Sequence, residues 1–595
     1  MRRLQRKLLN AGTLSIGQPG VHETAITMIR ITAAEALLRT LAAEDLRWAF
    51  GVVGGKLAPL LQALSRQQRV RYVGVRHESA AAMMAAGVAA GGGGMAIAMA
   101  EMGPGGLNLA AGLGGARNNG LPVLALTTDQ HRAAAYPHKG MFMDMDLRAL
   151  FATVTKWNAV VGDARRVPEL ARQAMREALS GRPGPVHLDL PHDVLAQTVD
   201  YADDEFDLAP AHYRATIGPR PAAAAVEAAA ALLRGAERPL IVAGGGVIAA
   251  GAEALALTLA RRLQAPLLPT QMALGVLPSD DPLFIGQGGL IGGEPVLRAL
   301  AEADVVLAIG CRWSSWMWDE QGPLVRRPQR LIALNTDPAA LGAPALHELA
   351  MQADAGLALA DLLAALGARG AAAPAPGPWL ARLQGLRDAH RARIEALAAE
   401  PGAVMHPAAL ALAIGRAMPK DALAVYDGGH TSFWSNDCTP VHAPRTRLHE
   451  PGMSHLGFGL PAALALQLLH PGRAVFHLTG DGSFGYTLNE LDSARRHGLP
   501  VITIVHDNAS WGVIGHGQSR AGFEFASGLE GCDYAAIARG FGCHGEVVTE
   551  AGQIAGAIDR ARASGLPAVI DARTRFVPHP CMPAFGAMNR YGGAG

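Results

Sequence analysis

The feature that most constrains this chain is an alternation of short apolar segments with alanine-rich helical segments. In the first part of the sequence the apolar segments are WAFGVV, RYVGVR, GMAIAMA, PVLALTT and PVHLDLP. Short apolar runs that alternate with helices are typical of parallel strands buried on both faces of a sheet. The pattern predicts an α/β protein with doubly wound parallel sheets.

The same alternation occurs three times along the 595 residues, a length that normally divides into several domains. A second series begins at RPLIVAGGG and a third near His406, where ALAVYDGG, AVFHLTGDG, PVITIVHDN and PAVIDAR follow. We predict three domains, separated by a polar linker and by the segment LGARGAAAPAPGPW. Their predicted bounds are residues 28–200, 215–370 and 400–578, with a poorly ordered extension over 1–27 and a tail over 579–595.

Charge and composition exclude several classes of protein. The formal net charge is +1, without a basic stripe, so we expect no nucleic-acid partner. Gly, Pro and polar residues interrupt every apolar run, so we expect no membrane-spanning helix. The five cysteines form no C-x-x-C pair, which fits a reducing cytoplasm. The basic N-terminus lacks the apolar core and cleavage site of a signal peptide. We expect a cytoplasmic protein.

The chemistry is concentrated in LTGDGSFGYTLNELDSARRHGLPVITIVHDNASWG, which runs from Leu478 to Gly512. Asp481 and Asn508 follow two successive predicted strands, where ligands bind in open parallel sheets. Glycines beside Asp481 permit a tight turn, and a helix predicted to begin at Ser483 would direct its N-terminus at an anion. A carboxylate, an amide oxygen and backbone donors suit Mg²⁺ bridging a diphosphate.

This stretch resembles the signature of thiamine-diphosphate enzymes, in which Gly-Asp-Gly is followed by an Asn-Asn pair. Here the pair is Asp507-Asn508, and its second residue is the one that supplies the ligand. VRHESAAAMMAAGVAA, EMGPGGLN, DGGHTSFW and PGMSHLGFGLPAALAL resemble further motifs of the family. The resemblance is strongest to acetolactate synthases and benzaldehyde lyase. It implies pyrimidine-binding, middle and diphosphate-binding domains.

The resemblance also implies a site and an assembly. Magnesium would be bound by Asp481, Asn508 and the backbone carbonyl of Ser510. Glu78 would pair with the pyrimidine ring of thiamine diphosphate and help the cofactor lose a proton, and Leu456 would support its bent shape. A homodimer or homotetramer would place active sites at subunit interfaces. The other implied cofactor-binding residues are Gly429, His430, Ser454, Gly480, Gly482, Ser483, Trp511 and Val513.

Several positions depart from the related enzymes. Met143 stands where acetolactate synthases have Gln, and Gly517 where they have an acceptor-selecting Trp. RWSSW, from Arg312 to Trp316, replaces a flavin-contacting RFDDR, which argues against FAD binding and for a wider pocket. Val53 replaces the histidine of benzaldehyde lyase. GGGVIAAG, from Gly244, could hold a nucleotide phosphate, but one glycine-rich turn is a weak signal.

Glu101 is the least usual candidate, because the family more often has Thr, Ser or His there. It follows GMAIAMA and is predicted to point at the cofactor, where it would transfer a proton or repel a substrate carboxylate. The alternative is a glutamate bonded to nearby backbone N–H groups. Five histidines are also expected near the pocket, and we select His430 as the catalytic candidate. The five histidines expected near the pocket are His77, His138, His430, His455 and His516.

These observations predict a thiamine-diphosphate- and Mg²⁺-dependent enzyme that makes or breaks a C–C bond beside a carbonyl. Its substrate would be a small 2-oxoacid or 2-hydroxy compound. A 2-oxoacid decarboxylase and a 2-hydroxyacyl-CoA lyase are alternatives within this class. Outside it, the alternatives are a non-catalytic cofactor-binding relative and a nucleotide-binding oxidoreductase that would use GGGVIAAG.

Overall fold

Three parallel sheets follow one another along the chain in the computed structural model, which confirms the predicted fold class. The structure describes residues 27–135, 137, 140–319, 322–342, 345–367 and 377–582. Three predicted features lie outside these residues: the extension except Thr27, His138, and the tail beyond Met582. Within the described residues, no helix combines the length and the apolar composition needed to cross a membrane.

The first domain contains a six-stranded parallel sheet and a separate antiparallel strand pair. Its strands are β1 Met28–Thr32, β2 Trp48–Gly51, β3 Arg71–Gly74, β4 Ala96–Ala100, β5 Val123–Asp129, β6 Trp157–Val160, β7 Val186–Pro191 and β8 Thr198–Ala202. Its helices are α1 Ala33–Ala42, α2 Ala58–Ser65, α3 Glu78–Ala90, α4 Pro104–Asn119, α5 Arg132–Ala135, α6 Leu147–Val154, α7 Val167–Leu179 and α8 His192–Leu195. The parallel order is β3-β2-β4-β5-β7-β6, and β1 pairs with β8.

The middle domain contains a five-stranded parallel sheet. Its strands are β9 Pro239–Ala243, β10 Leu267–Pro269, β11 Val305–Ile309, β14 Arg330–Asn335 and β15 Leu349–Gln352, with a short antiparallel pair, β12 Trp318–Asp319 and β13 Gly322–Pro323. Its helices are α9 Ala223–Arg234, α10 Gly245–Ala249, α11 Glu253–Leu263, α12 Gly293–Glu302 and α13 Ala355–Ala365, and α14 Pro378–Ala398 leads to the next domain. The strand order is β10-β9-β11-β14-β15.

The third domain contains a six-stranded parallel sheet in the order β17-β16-β18-β19-β21-β20. Its strands are β16 Leu423–Tyr426, β17 Arg447–His449, β18 Val475–Gly480, β19 Ile502–Asp507, β20 His544–Val548 and β21 Ala568–Arg573. Its helices are α15 Pro407–Ala417, α16 His430–Cys438, α17 Gly459–Leu469, α18 Asp481–Phe484, α19 Glu490–His497, α20 Gly512–Arg520, α21 Tyr534–Gly540 and α22 Ile554–Ser564.

The first and third sheets share one topology. When the six strands of each sheet are numbered by their order along the chain, they lie side by side in the order second, first, third, fourth, sixth, fifth. The strand order therefore reverses between β2 and β4, and again between β16 and β18. Ligands bind beyond the carboxyl ends of strands at such reversals. Periodicity alone does not say whether the two domains are related, and their strand orders show that they have the same topology.

Helices α3 and α17 hold these two domains together through small residues. A Cβ placed on Gly87 of α3 would lie 2.9 Å from the Cα of Ala462 and 3.1 Å from the Cβ of Ala465 in α17. One continuous apolar core includes residues from both helices. Close approach of the helices is thus possible because Gly87 has no side chain.

We expect Gly87→Ala to lower the apparent melting temperature, because an added methyl group would meet the Ala462 backbone. Overpacking of this kind typically costs about 1–3 kcal/mol. Differential scanning fluorimetry measures the shift. The matched control is Gly385→Ala in α14, where a Cβ would meet nothing within 4 Å, so helix propensity should leave stability unchanged or raise it. Equal melting temperatures for wild type and Gly87→Ala would contradict the tight contact.

Candidate active site

Asp481 and Asn508 lie together at the carboxyl edge of the third sheet. β18 and β19 are adjacent parallel strands in which Gly480 pairs with His506, so the residues that follow them leave the sheet side by side. The N–H of Ser510 lies 3.2 Å from Oδ2 of Asp481 and 3.1 Å from Oδ1 of Asn508. The N–H of Ser510 is therefore within hydrogen-bonding distance of both predicted metal ligands, Asp481 and Asn508.

The environment of Asp481 suits a carboxylate that binds a cation. The side chain is 3 % exposed and accepts a hydrogen bond of 2.9 Å from the N–H of Gly482. Burial, together with the neighbouring carboxylate of Asp507, raises the pKa of Asp481 to about 7. A divalent cation would favour the charged form that burial disfavours.

Asp507, which replaces the usual asparagine, forms an ion pair within the sheet. Its carboxylate pairs with the guanidinium of Arg573, the residue opposite it on β21. It also accepts a hydrogen bond of 3.1 Å from the N–H of Ala509 in the turn that leads to Ser510. The departure from the family pattern is thus compensated by a cation on the next strand.

The glycines around Asp481 allow close packing. A Cβ on Gly482 would lie 2.6 Å from the ring of Trp511, and one on Gly480 would lie 2.9 Å from Oγ1 of Thr431. The helix prediction here was wrong: α18 begins at Asp481 rather than Ser483 and is a single turn. The Oγ of Ser483 instead accepts a hydrogen bond of 3.1 Å from the N–H of Gly457.

The loop that carries Ser454 and Leu456 packs against the turn before α16. A Cβ on Gly428 would lie 3.0 Å from Cδ2 of Leu456 and 3.3 Å from Oγ of Ser454. The loop is held by the buried carboxylate of Glu450, which accepts hydrogen bonds from the N–H groups of Met453 at 2.8 Å and of His455 at 2.9 Å. Sequence reasoning did not select Glu450.

Gly429 and His430 form the start of α16. Gly429 has a φ of 89°, a conformation that favours glycine. His430 is buried, and its Nε2 accepts a hydrogen bond of 3.0 Å from Nε1 of Trp434. Burial lowers the pKa of His430 to about 3, so the ring is neutral near pH 7. The catalytic role of His430 stays a prediction.

Trp511 and Val513 lie where α20 begins. The N–H of Trp511 donates a hydrogen bond of 2.8 Å to the carbonyl of Ser527, and its ring lies 6.3 Å from that of Tyr486. Val513 is half-buried in the first turn of α20. A Cβ on Gly517, in the same helix, would meet nothing within 4 Å, so this side of α20 is open.

Glu78 is the first residue of α3, in the first domain. Its Oε2 accepts a hydrogen bond of 3.0 Å from Nδ2 of Asn108. A Cβ on Gly105 would lie 3.3 Å from its Oε1, so the missing side chain leaves room beside that oxygen. The loop before Glu78 is fixed by Glu490 of α19, whose carboxylate accepts hydrogen bonds from the N–H groups of Arg76 and His77 at 3.0 and 3.1 Å.

Glu490 was missed because the backbone N–H groups that it binds, those of Arg76 and His77, lie in another domain. It is fully buried, yet its segment, NELDSARRHG, reads as an ordinary polar helix. Burial raises the pKa of its carboxyl group. The side chain links the loop before Glu78 to the helix that follows the turn of Asp481, so it positions parts of both domains.

The other candidate histidines are scattered. His77 is exposed and caps α3, and its Nδ1 accepts a hydrogen bond of 3.2 Å from the N–H of Ser79. His455 and His516 are half-buried, and burial lowers the pKa of both. None of these three positions identifies a proton shuttle.

Glu101 accepts a backbone hydrogen bond, as the structural alternative predicts. Its Oε1 lies 2.9 Å from the N–H of Lys56 in the loop after β2. A Cβ on Gly54 would lie 2.0 Å from its Oε2, so the carboxylate lies directly against this loop. The proton-transfer and charge-exclusion roles stay predictions.

Among the described residues, no group of three or more His, Cys, Asp or Glu side chains is arranged to hold a metal ion. The predicted magnesium site has a different composition, since it uses one carboxylate, one amide and one backbone carbonyl. Oxygen ligands of this kind, few in number, fit Mg²⁺ that also binds a diphosphate.

Comparisons with known proteins identify the class. Three family descriptions match: thiamine pyrophosphate enzyme, N-terminal TPP binding domain, over residues 31–150; central domain, over 226–362; and C-terminal TPP binding domain, over 427–572. The chain belongs to the thiamine pyrophosphate enzyme family. The N-terminal match includes Glu78, and the C-terminal match includes Asp481 and Asn508.

Within this family, the chain is similar to proteins of two kinds. It is 31% identical to the acetolactate synthase isozyme 1 large subunit of Escherichia coli, over 87% of this chain and 90% of that protein. It is 30% identical to a probable acetolactate synthase large subunit of Methanocaldococcus jannaschii, over 90% and 91%. It is also 33% identical to a probable 2-ketoarginine decarboxylase of Pseudomonas aeruginosa, over 86% and 89%.

We expect Asp481→Ala to abolish joint binding of Mg²⁺ and thiamine diphosphate, because it removes a charged oxygen ligand and leaves the diphosphate charge uncompensated. Isothermal titration calorimetry on purified protein measures the affinity. Asp559→Ala, which removes an exposed carboxylate on α22, is the control and should bind as wild type does. Wild-type affinity in Asp481→Ala would refute the site.

We expect Glu101→Gln to keep the fold and Glu101→Ala to lose stability, because only the amide can still accept the hydrogen bond from Lys56. A buried donor left without its partner costs about 1–3 kcal/mol, so the partly buried Lys56 N–H should cost no more than this, and melting curves detect the change. Turnover of Glu101→Gln then tests the catalytic role. Loss of turnover with intact cofactor activation would support proton transfer, and wild-type turnover and substrate range would leave only the structural role.

Proposed function

We propose that this chain is a thiamine-diphosphate- and Mg²⁺-dependent enzyme that makes or breaks a C–C bond beside the carbonyl of a 2-oxoacid or 2-hydroxy substrate. The observation that carries the proposal is the convergence of Asp481 and Asn508 on the N–H of Ser510 at the edge of the third sheet. Relatives named acetolactate synthase and 2-ketoarginine decarboxylase support a carboligase or decarboxylase.

In the proposed site, Asp481, Asn508 and the carbonyl of Ser510 would hold Mg²⁺ and, through it, the diphosphate. Leu456 and Ser454 would support the cofactor from the turn at Gly428. These residues lie on loops whose positions are fixed by buried hydrogen bonds, such as those of Glu450. Such preorganisation limits the movement of the reacting groups.

Glu78 would share a proton with the pyrimidine ring. Its Oε2 is already occupied by Asn108, while Oε1 faces the room left by Gly105. When bound, thiamine diphosphate would supply a nucleophilic carbon and an electron sink for the substrate carbonyl. Glu78 would hold the proton whose sharing favours that state, and an amide in its place could not.

The choice between ligation and decarboxylation depends on the substrate pocket. Gly517 leaves α20 open, and Met143 replaces the glutamine of acetolactate synthases. The similarity to a decarboxylase at 33% identity favours 2-oxoacid decarboxylation as the second candidate. A non-catalytic relative is disfavoured because Glu78, Asp481 and Asn508 are all present.

We further propose that the middle domain binds no FAD. In the segment that replaces the flavin-contacting motif, Trp313 is buried and Trp316 packs 5.5 Å from the ring of Phe433. Nε1 of Trp316 donates a hydrogen bond of 3.1 Å to the carbonyl of Pro451. Trp316 thus contacts the third domain, whereas Trp313 lies in the core of the middle domain, and both side chains fill space in the segment that replaces the flavin-contacting motif.

An assembly of two or four copies, with sites between them, is the proposed form of this enzyme. Large apolar side chains are exposed close in sequence to the candidate residues, on loops and on α20, as at a surface that a second copy covers. They are Val53, Phe142, Tyr486, Ile514 and Phe525. We also propose a cytoplasmic location, which the scattered free cysteines support.

We expect Glu78→Gln to bind Mg²⁺ and thiamine diphosphate but to lose exchange of the cofactor C2 proton, by about tenfold or more. NMR after acid quench measures this exchange in the holoenzyme. Glu227→Gln on α9, which changes an exposed carboxylate, should exchange as wild type does. An unchanged rate in Glu78→Gln would show that another group activates the cofactor.

The same holoenzyme tests the reaction class. A panel of 2-oxoacids, acyloins and hydroxyacyl-CoA thioesters is followed for carbon dioxide, aldehyde and ligated product. Turnover that depends on both Glu78 and Mg²⁺ is the expected result. Active C2 exchange without turnover of any member would overturn the proposed substrate class.

A further inference from the structure

Lys56 is a charged side chain at the carboxyl edge of the first sheet that the proposed function does not use. It lies in the loop after β2, beside the reversal of strand order between β2 and β4. Ligands of open parallel sheets bind beyond this edge. Its neighbours in the loop, Val53 and Gly55, are exposed, so the loop borders open space.

The position of Lys56 is fixed at both ends. Its backbone N–H donates a hydrogen bond of 2.9 Å to Oε1 of Glu101, which follows β4. Its Nζ lies 3.0 Å from Oε1 of Gln130, which follows β5, and 3.0 Å from Sδ of Met102. Gln130 is fixed in turn, because its Nε2 donates a hydrogen bond of 2.7 Å to the carbonyl of Phe142. A flexible surface lysine would lack such supports.

Among the residues that the structure describes, the ammonium group of Lys56 has no charged partner. Its two partners, Gln130 and Met102, are neutral, and no carboxylate oxygen of a described residue lies within 4.0 Å of it. Glu101 is the carboxylate beside the loop, but it is bonded to the Lys56 backbone. Lys56 is half-buried, and a partly desolvated cation is stabilised by an anion. An ammonium has three donors, so one remains for such a ligand.

The ammonium belongs to the same edge as Glu78. A Cβ on Gly105 would lie 3.3 Å from Oε1 of Glu78 and 3.8 Å from Cβ of Glu101. Glu101 in turn accepts the hydrogen bond from the Lys56 N–H. Glu78 and Lys56 are therefore linked through two intervening neighbours, Gly105 and Glu101. A substrate that reacts at the cofactor contacted by Glu78, and that extends along this edge, would reach Lys56.

We propose that Lys56 binds a second anionic group of the substrate, one that the reaction leaves intact. This inference rests on the proposed function. An ammonium that held the reacting carboxylate would stabilise the ground state against loss of carbon dioxide and would slow that step. Lys56 therefore selects 2-oxoacids or 2-hydroxy acids that carry a further carboxylate, sulfonate or phosphonate at the end away from the carbonyl.

Matched substrate pairs test this charge selection in the holoenzyme with Mg²⁺ and thiamine diphosphate. The pairs are oxaloacetate with 2-oxobutyrate, 2-oxoglutarate with 2-oxovalerate, and 2-oxoadipate with 2-oxohexanoate; sulfopyruvate and phosphonopyruvate test the other two anions. Calorimetry gives the dissociation constant of each, and initial rates give kcat/KM. In wild type we expect the charged member of at least one pair to bind about tenfold more tightly or better.

Two substitutions of Lys56 distinguish recognition of the substrate anion from structural support of the loop. Lys56→Met keeps the length of the side chain, and the ratio of dissociation constants within the pair should fall to about one. Lys56→Arg should restore part of the preference, because the charge returns with different geometry. Lys420→Met, at an exposed turn before β16, removes the same charge elsewhere and should keep the wild-type ratio.

Three results would overturn the proposal, and the first two are no charge preference in any wild-type pair and a preference that Lys56→Met retains. An equal loss of affinity for both members would also overturn it, since that is the effect of a purely structural lysine. Binding separates this inference from the proposed function. Charge-selective binding without turnover would contradict the proposed reaction alone. Turnover without charge selection would contradict the role of Lys56 alone.

Discussion

The contact between α3 and α17 is the constraint on which the rest of the candidate site depends. Gly87 lets the backbones of the two helices approach closely, with the Cα of Ala462 only 2.9 Å from where a Cβ would lie. Glu78 is the first residue of α3, and α17 directly follows the loop of Leu456. The interface therefore sets the position of both residues at once. A loosely packed pair of domains could not hold them in a fixed relation.

Buried carboxylates complete this arrangement, and their partners divide them into two kinds. Glu450 and Glu490 each accept backbone N–H hydrogen bonds and fix the loop before Leu456 and the loop before Glu78. Asp481 accepts two N–H hydrogen bonds but also has the carboxylate of Asp507 nearby, and its pKa rises to about 7. Glu450 and Glu490 thus have a structural role, whereas Asp481 has the environment of a cation ligand.

The central strands could be predicted from the sequence, and the short or edge strands mostly could not. β5 and β19 are buried along their whole length, and each begins with a mostly apolar segment, VLAL and ITIV. β6 and β20 are edge strands with mostly half-buried residues, and WNAV and HGEVV contain no such run. The residues of the candidate site divide in the same way into those that could be predicted and those that could not. Asp481 and Asn508 were predicted from local turns, whereas Glu490 and Lys56 depend on partners distant in sequence, which no local pattern records.

The replacement at Asp507 shows how a motif can change without loss of the site. An additional buried carboxylate beside Asp481 would alone be costly. Arg573 lies opposite it on β21 and pairs with Asp507 and with Asp571, whose pKa burial raises to about 7. Arg573 offsets part of the negative charge of Asp507, which still contributes to the raised pKa of Asp481. A divalent cation at this edge would offset the remaining negative charge and favour the charged form of Asp481.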